Sequence, residues 1–97
     1  MANKLKVMLS FMREINDGNI PRASDYELSN SEFWDIVDAC QDEGLIKGAT
    51  CAAGGNNAIL FLENTKLTVK GLEYLNENSA LMKTYKGLKD LRDWMPF

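Results

Sequence analysis

Apolar residues recur at helical spacing near the start of the chain: Leu5, Met8, Leu9, Met12 and Ile15. That stripe predicts a first helix running to about Asp17, capped by Asn3 and stopped by Gly18. Asn19-Ile20-Pro21 is expected as a short extended strand, because the residue before a proline avoids helical angles. Two start signals follow. Ser24 lies three residues before Glu27, and Ser29 three before Glu32. Each fits a capping box, in which hydroxyl and carboxylate satisfy backbone N–H groups reciprocally. Their separation leaves room for about one helical turn between them. A longer helix is predicted over 30–43, with Phe33, Ile36, Val37 and Cys40 as its buried stripe and Gly44 at its end.

The next segment, 45–52, reads as a strand, 53–57 as a flexible turn, and 58–63 as a more apolar returning strand. Thr68 then caps a helix carrying Val69, Leu72 and Leu75, and Gly71 in its first turn either allows close packing or simply costs stability. Residues 76–79 break the pattern. A last helix is expected to about Trp94, with Leu81, Tyr85, Leu88, Leu91 and Met95 on one face. The order predicts an α+β, mostly helical fold: a winged helix-turn-helix with a small antiparallel β-hairpin wing. An extra amphipathic helix over about 79–95 would follow a core of about 3–77, all within one domain spanning 1–97.

Composition narrows the job more than the shape. A chain of 97 residues allows one modest core, and 45% apolar with 26% charged residues is ordinary for a globular domain. Histidine is absent, which removes the commonest general base and the usual zinc ligand. Gly54-Gly55 lacks the GK[ST] of a phosphate-binding loop. No catalytic residue, metal site or cofactor is expected, and the chain reads as non-enzymatic. Cys40 and Cys51 have neither metal nor redox spacing and read as buried free thiols. Neither a membrane-spanning run nor a signal peptide is read, so a cytoplasmic protein with no membrane partner is expected.

Several stretches, taken in order, resemble the YjcQ family of small bacterial and prophage-associated proteins. They are Glu14-Ile15 with Gly18-Asn19 and Pro21; residues 33–44 with Ile46; the run Leu67-Thr68-Val69-Lys70-Gly71-Leu72-Glu73-Tyr74-Leu75; and Tyr85-Lys86 with Asp93-Trp94. The resemblance covers nearly the whole length. It implies a winged-helix fold and a phage or prophage origin, and it brings no activity to carry over. The turn Gly54-Gly55-Asn56-Asn57 is the least family-typical part.

Charge then divides the candidate surfaces. Net charge is −3, and residues 23–43 hold seven acidic side chains and no basic one. In a DNA-binding winged helix the 30–43 helix would enter the major groove, where these carboxylates would repel phosphates. Contacts to double-stranded DNA should therefore come from Arg22, Lys47, Lys66 and Lys70, with Asn56 and Asn57 of the wing; otherwise these lysines only solubilise. Trp34, Asp35, Asp38 and Asp42 form a candidate face for a protein partner, or else a solvated face with a tryptophan packed on a neighbour. Lys83, Lys86, Lys89 and Arg92 frame an apolar seam of Leu81, Tyr85, Leu88, Leu91 and Trp94. That seam either folds back on the domain or pairs two copies in a homodimer. Two functions stay open: a DNA-binding, regulator-like protein of phage type, or a protein-interaction module without DNA binding.

Overall fold

The computed structural model describes residues 3–52 and 58–95. The turn expected over 53–57, with Asn56 and Asn57, lies outside the described residues. The chain is mostly helical, with two small antiparallel ladders. Helix α1 (Lys4–Asn16) begins where the Asn3 side chain accepts the backbone N–H of Lys6. It runs through the centre of the fold. Val7, Leu9, Phe11, Met12 and Ile15 are buried, and so are Ser10 and Glu14. The expected stripe is thus rotated: Leu5 is exposed and Met8 only partly buried. A helix covered from more than one side buries more than one stripe.

A 3-10 turn (Ala23–Tyr26) follows an extended link. Here the expected Ser24–Glu27 box is replaced. Arg22 donates its backbone N–H to the Asp25 carboxylate at 2.8 Å, and Glu27 ends the turn in the left-handed region, φ 56°. The Ser29–Glu32 box forms as predicted, with both bonds present. It starts helix α2 (Asn30–Asp42), which buries Phe33, Ile36, Val37 and Cys40. Phe33 packs between Phe11 and Tyr26, each ring centroid 5.6 Å away. Edge and tilted stacking of this kind joins α1, the turn and α2 into one core.

The strand expected over 45–52 is broken in two, β1 (Ile46–Lys47) and β2 (Thr50–Ala52). Gly48 makes the break: its φ is +90°, and a side chain there would run into the Asn64 carbonyl. Next to it, the Gln41 amide both donates to the Ala49 carbonyl and accepts its N–H, so a side chain replaces the missing ladder. The return is also split, into β3 (Ile59–Phe61) and β4 (Lys66–Leu67). Pairing is nested: β2 with β3, then β1 with β4. The link Asn19-Ile20-Pro21, expected as a strand, joins no ladder among the described residues.

Helix α3 (Val69–Glu77) is capped by the Thr68 hydroxyl, which accepts the Gly71 N–H. Gly71 lies so close to the Leu45 carbonyl that no side chain would fit. That contact sets the rotation of α3. Gly71, Tyr74 and Leu75 turn inward, whereas Val69 and Leu72 are exposed.

The single helix expected over 79–95 is corrected most. The structure has α4 (Ser79–Met82), a link, a 3-10 turn (Leu88–Asp90) and α5 (Leu91–Trp94). Gly87, at φ +106°, turns the chain where a helix would have continued. The segment folds back over α1, with Met82, Leu91, Trp94 and Met95 in the same core.

Candidate functional site

The hairpin base brings two of the four predicted basic residues together. Lys47 and Lys66 are register partners in the β1–β4 ladder. Ile46 and Leu67, the adjacent pair, turn inward, so both lysines point to the solvent face. Among the described residues neither side chain has a hydrogen bond or an ion pair; the ion pair among those residues is Arg13–Asp17. Lys70, in the first turn of α3, lays its stem beside Gly44 at the end of α2. Its charge therefore sits near the carbonyl end of α2, a place that favours a cation. Arg22 is placed elsewhere, on the wall of a groove beside β3.

On α2, Asp35 and Asp42 are exposed and Asp38 is half-buried. Trp34 is half-buried and packs against the core. Glu32, at the start of this face, is held below the usual carboxylate range by its hydrogen bonds from Ser29.

The C-terminal seam is occupied from within. Leu91 and Trp94 are buried, and Leu81, Tyr85 and Leu88 are partly buried against the core. Trp94 donates its indole N–H to the Thr84 hydroxyl at 2.9 Å, and its ring meets that of Tyr85 at 4.8 Å. Lys6 reaches from α1 to the Trp94 carbonyl at 2.7 Å.

A buried polar chain underlies this docking. Tyr85 donates to Glu14 Oε2, and Ser10 donates to the Tyr85 hydroxyl at 2.9 Å. With its proton so used, Ser10 accepts from Tyr26 at 3.0 Å. Asn19 donates to Glu14 Oε1 at 3.0 Å. Both carboxylate oxygens of the buried Glu14 are thereby satisfied by neutral donors. Burial pushes both tyrosine hydroxyls well above their usual range, so they stay protonated donors. None of Ser10, Glu14 or Asn19 stood out as a site residue. The available signal was a carboxylate three residues after Phe11 and one before Ile15, on a face that had to be buried.

The groove that holds Arg22 has a volume of about 790 Å³. Ile20, Leu28, Phe33, Ile59, Leu60 and Leu62 give it an apolar lining. Elsewhere, burial raises the Cys40 thiol to about 12, which makes it inert. No group of three or more metal-ligating side chains occurs among the described residues. No helix there is long and apolar enough to cross a membrane.

A family model described as YjcQ protein matches residues 5–94. The chain belongs to the YjcQ family. It is 33% identical over 94 residues to a Bacillus subtilis (strain 168) protein named "Uncharacterized protein YjcQ", covering 96% of this chain and 98% of that one. No solved structure matches it. Several residues on which the resemblance rests have structural work here. Glu14, Asn19 and Tyr85 make the buried polar chain, Trp94 anchors the C-terminal segment, and Gly71 seats α3 on Leu45.

Proposed function

We propose that this YjcQ-family protein is a non-enzymatic winged-helix module that meets the DNA backbone through the base of its hairpin. One observation carries the reading: Lys47 and Lys66 stand opposite each other with no acidic partner among the described residues. Like charges directly across a ladder destabilise it, and an anion bound between them removes that penalty. Lys70 extends the positive surface into α3. In the winged-helix reading, β1–β4 form the stem of the wing, and Asn56 and Asn57 at its tip would add polar contacts. The exposed carboxylates of α2 turn its outer face away from phosphates, so the reading is one of backbone contact without base recognition.

Counterion release tests this. Binding to a mixed-sequence duplex should weaken steeply with salt, with a log–log slope of about 0.9 per phosphate neutralised. Lys47→Ala and Lys66→Ala should each reduce the slope by about 1. Absence of binding at low ionic strength would sink the proposal.

A further inference from the structure

The solvent face of the hairpin carries an aromatic ring that backbone contact alone leaves unused. Among the described residues, the rings of Phe11, Tyr26, Phe33 and Trp94 are buried, and those of Trp34, Tyr74 and Tyr85 pack against the core. Phe61 is the exception, 44% exposed on strand β3. Its cross-strand partner is Thr50 and its diagonal neighbour is Ala52. Both are exposed, and both are too small to cover a phenyl ring.

Strand alternation puts this ring on the same side as the lysine pair. In β1–β4 the inward pair is Ile46 and Leu67, and the outward pair is Lys47 and Lys66. In β2–β3 the half-buried pair is Cys51 and Leu60, and Thr50 and Phe61 form an outward pair. Ala49 and Leu62, where the two ladders meet, are buried in the same core as Ile46. The outward positions of both ladders therefore share one solvent face. Lys47 precedes Thr50 by three residues, a span of at most about 11 Å along the chain. Glu63, the acid next to this strand, lines the groove that also holds Arg22.

Two ammonium groups without an ion pair and one uncovered ring suit a ligand that carries both anions and flat π surfaces. A nucleic-acid strand carries both. In a duplex the base faces are stacked on one another and closed to the ring. In a single strand they are open, and stacking tolerates any sequence because every base has a π face.

We propose that this hairpin face binds single-stranded nucleic acid, with a base stacked on Phe61 and neighbouring phosphates on Lys47 and Lys66. The proposal rests on the backbone-contact reading and adds the class of strand preferred.

The test titrates the full chain into a short, labelled single strand of mixed sequence and into the duplex of that sequence, both at low salt. The single strand should bind about tenfold or more tighter than the duplex. Phe61→Ala should weaken single-strand binding by about tenfold or more and change duplex binding by less than about twofold. Phe61→Leu keeps an apolar side chain on the strand and removes the π face, so it should do the same; it also serves should the alanine variant unfold. Phe61→Trp should keep the preference. Lys47→Ala and Lys66→Ala should weaken both ligands and lower both salt slopes. Duplex binding with no preference for the single strand would overturn this proposal and leave the backbone-contact reading standing. So would single-strand binding that Phe61→Leu leaves intact. Binding of neither nucleic acid would overturn both. Phe61-dependent binding to phosphatidylserine vesicles, tighter than to the single strand, would also overturn the proposal, because the face would then belong to a membrane surface.

Discussion

Tyr85 donates its hydroxyl hydrogen to the buried carboxylate of Glu14, 71 residues away in the chain. This bond, with the Trp94–Thr84 and Lys6–Trp94 bonds, holds the C-terminal segment against α1. Removing the hydroxyl would leave Glu14 Oε2 without its donor and Ser10 without its acceptor. Tyr85→Phe should therefore lower stability by about 2 kcal/mol, the cost of stranding buried polar groups. Urea unfolding followed by tryptophan fluorescence measures it. A loss under about 0.5 kcal/mol would show that the polar chain does not hold the segment.

Gly71 and Gly18 should respond differently to the same change. At Gly71 an added methyl meets the Leu45 carbonyl, which is backbone and cannot step aside. Gly71→Ala must push α3 off β1 and should cost about 3 kcal/mol, at the upper end of overpacking effects. At Gly18 a methyl meets nothing within 4 Å, and only its φ of +89° opposes alanine. Gly18→Ala should cost about 1 to 2 kcal/mol. Paired thermal melts decide the order, and a Gly71 variant no worse than the Gly18 variant would refute the close contact.

Local signals in the sequence were accurate where the structure obeys local rules. Asn3, Ser29 and Thr68 cap their helices as their side chains predict, and the α2 stripe is buried as spaced. The failures lie where distant contacts decide. Val69 and Leu72 are apolar at helical spacing, but Gly71 against Leu45 rotates α3 and leaves them outside. The apolar spacing from Leu81 to Met95 fits one helix, yet the chain bends at Gly87 so that Tyr85 and Trp94 can reach α1, Thr84 and one another. Of the candidate sites, the Lys47–Lys66 pairing needed the strand register, because β4 is too short and too polar to be read as a strand. The groove needed the tertiary fold, because its walls come from segments nearly forty positions apart.

Glu27 offers a substitution expected to help. Its φ of 56° puts an L residue in the left-handed region, where it costs roughly 1 kcal/mol relative to glycine. Glycine also gives the unfolded chain more freedom, which offsets part of the gain. Glu27→Gly should raise stability by up to about 1 kcal/mol, read as a higher denaturant midpoint at unchanged slope.

Alkaline pH should destabilise the fold in two stages. The Cys40 thiol rises from its ordinary value of 9.0 to about 12, and the Tyr26 and Tyr85 hydroxyls rise above their ordinary 10.0, all chiefly by burial. A raised folded value means that the folded state keeps its proton after the unfolded state has lost it. The contribution to stability is therefore complete below the ordinary value and lost as pH climbs toward the folded one. Between pH 9 and 10 the Cys40 thiol is the largest contributor of the three, with a slope that should climb from about 0.7 toward about 1.4 kcal/mol per pH unit as the unfolded thiol loses its proton. Above pH 10 the tyrosines add to it. Cys40→Ala should flatten the first stage and leave the second, although the cavity it opens lowers stability at every pH. Equilibrium unfolding at half-unit steps from pH 8 to 11 checks this. If the variant and the parent fall in parallel between pH 9 and 10, the buried thiol is not the group responsible.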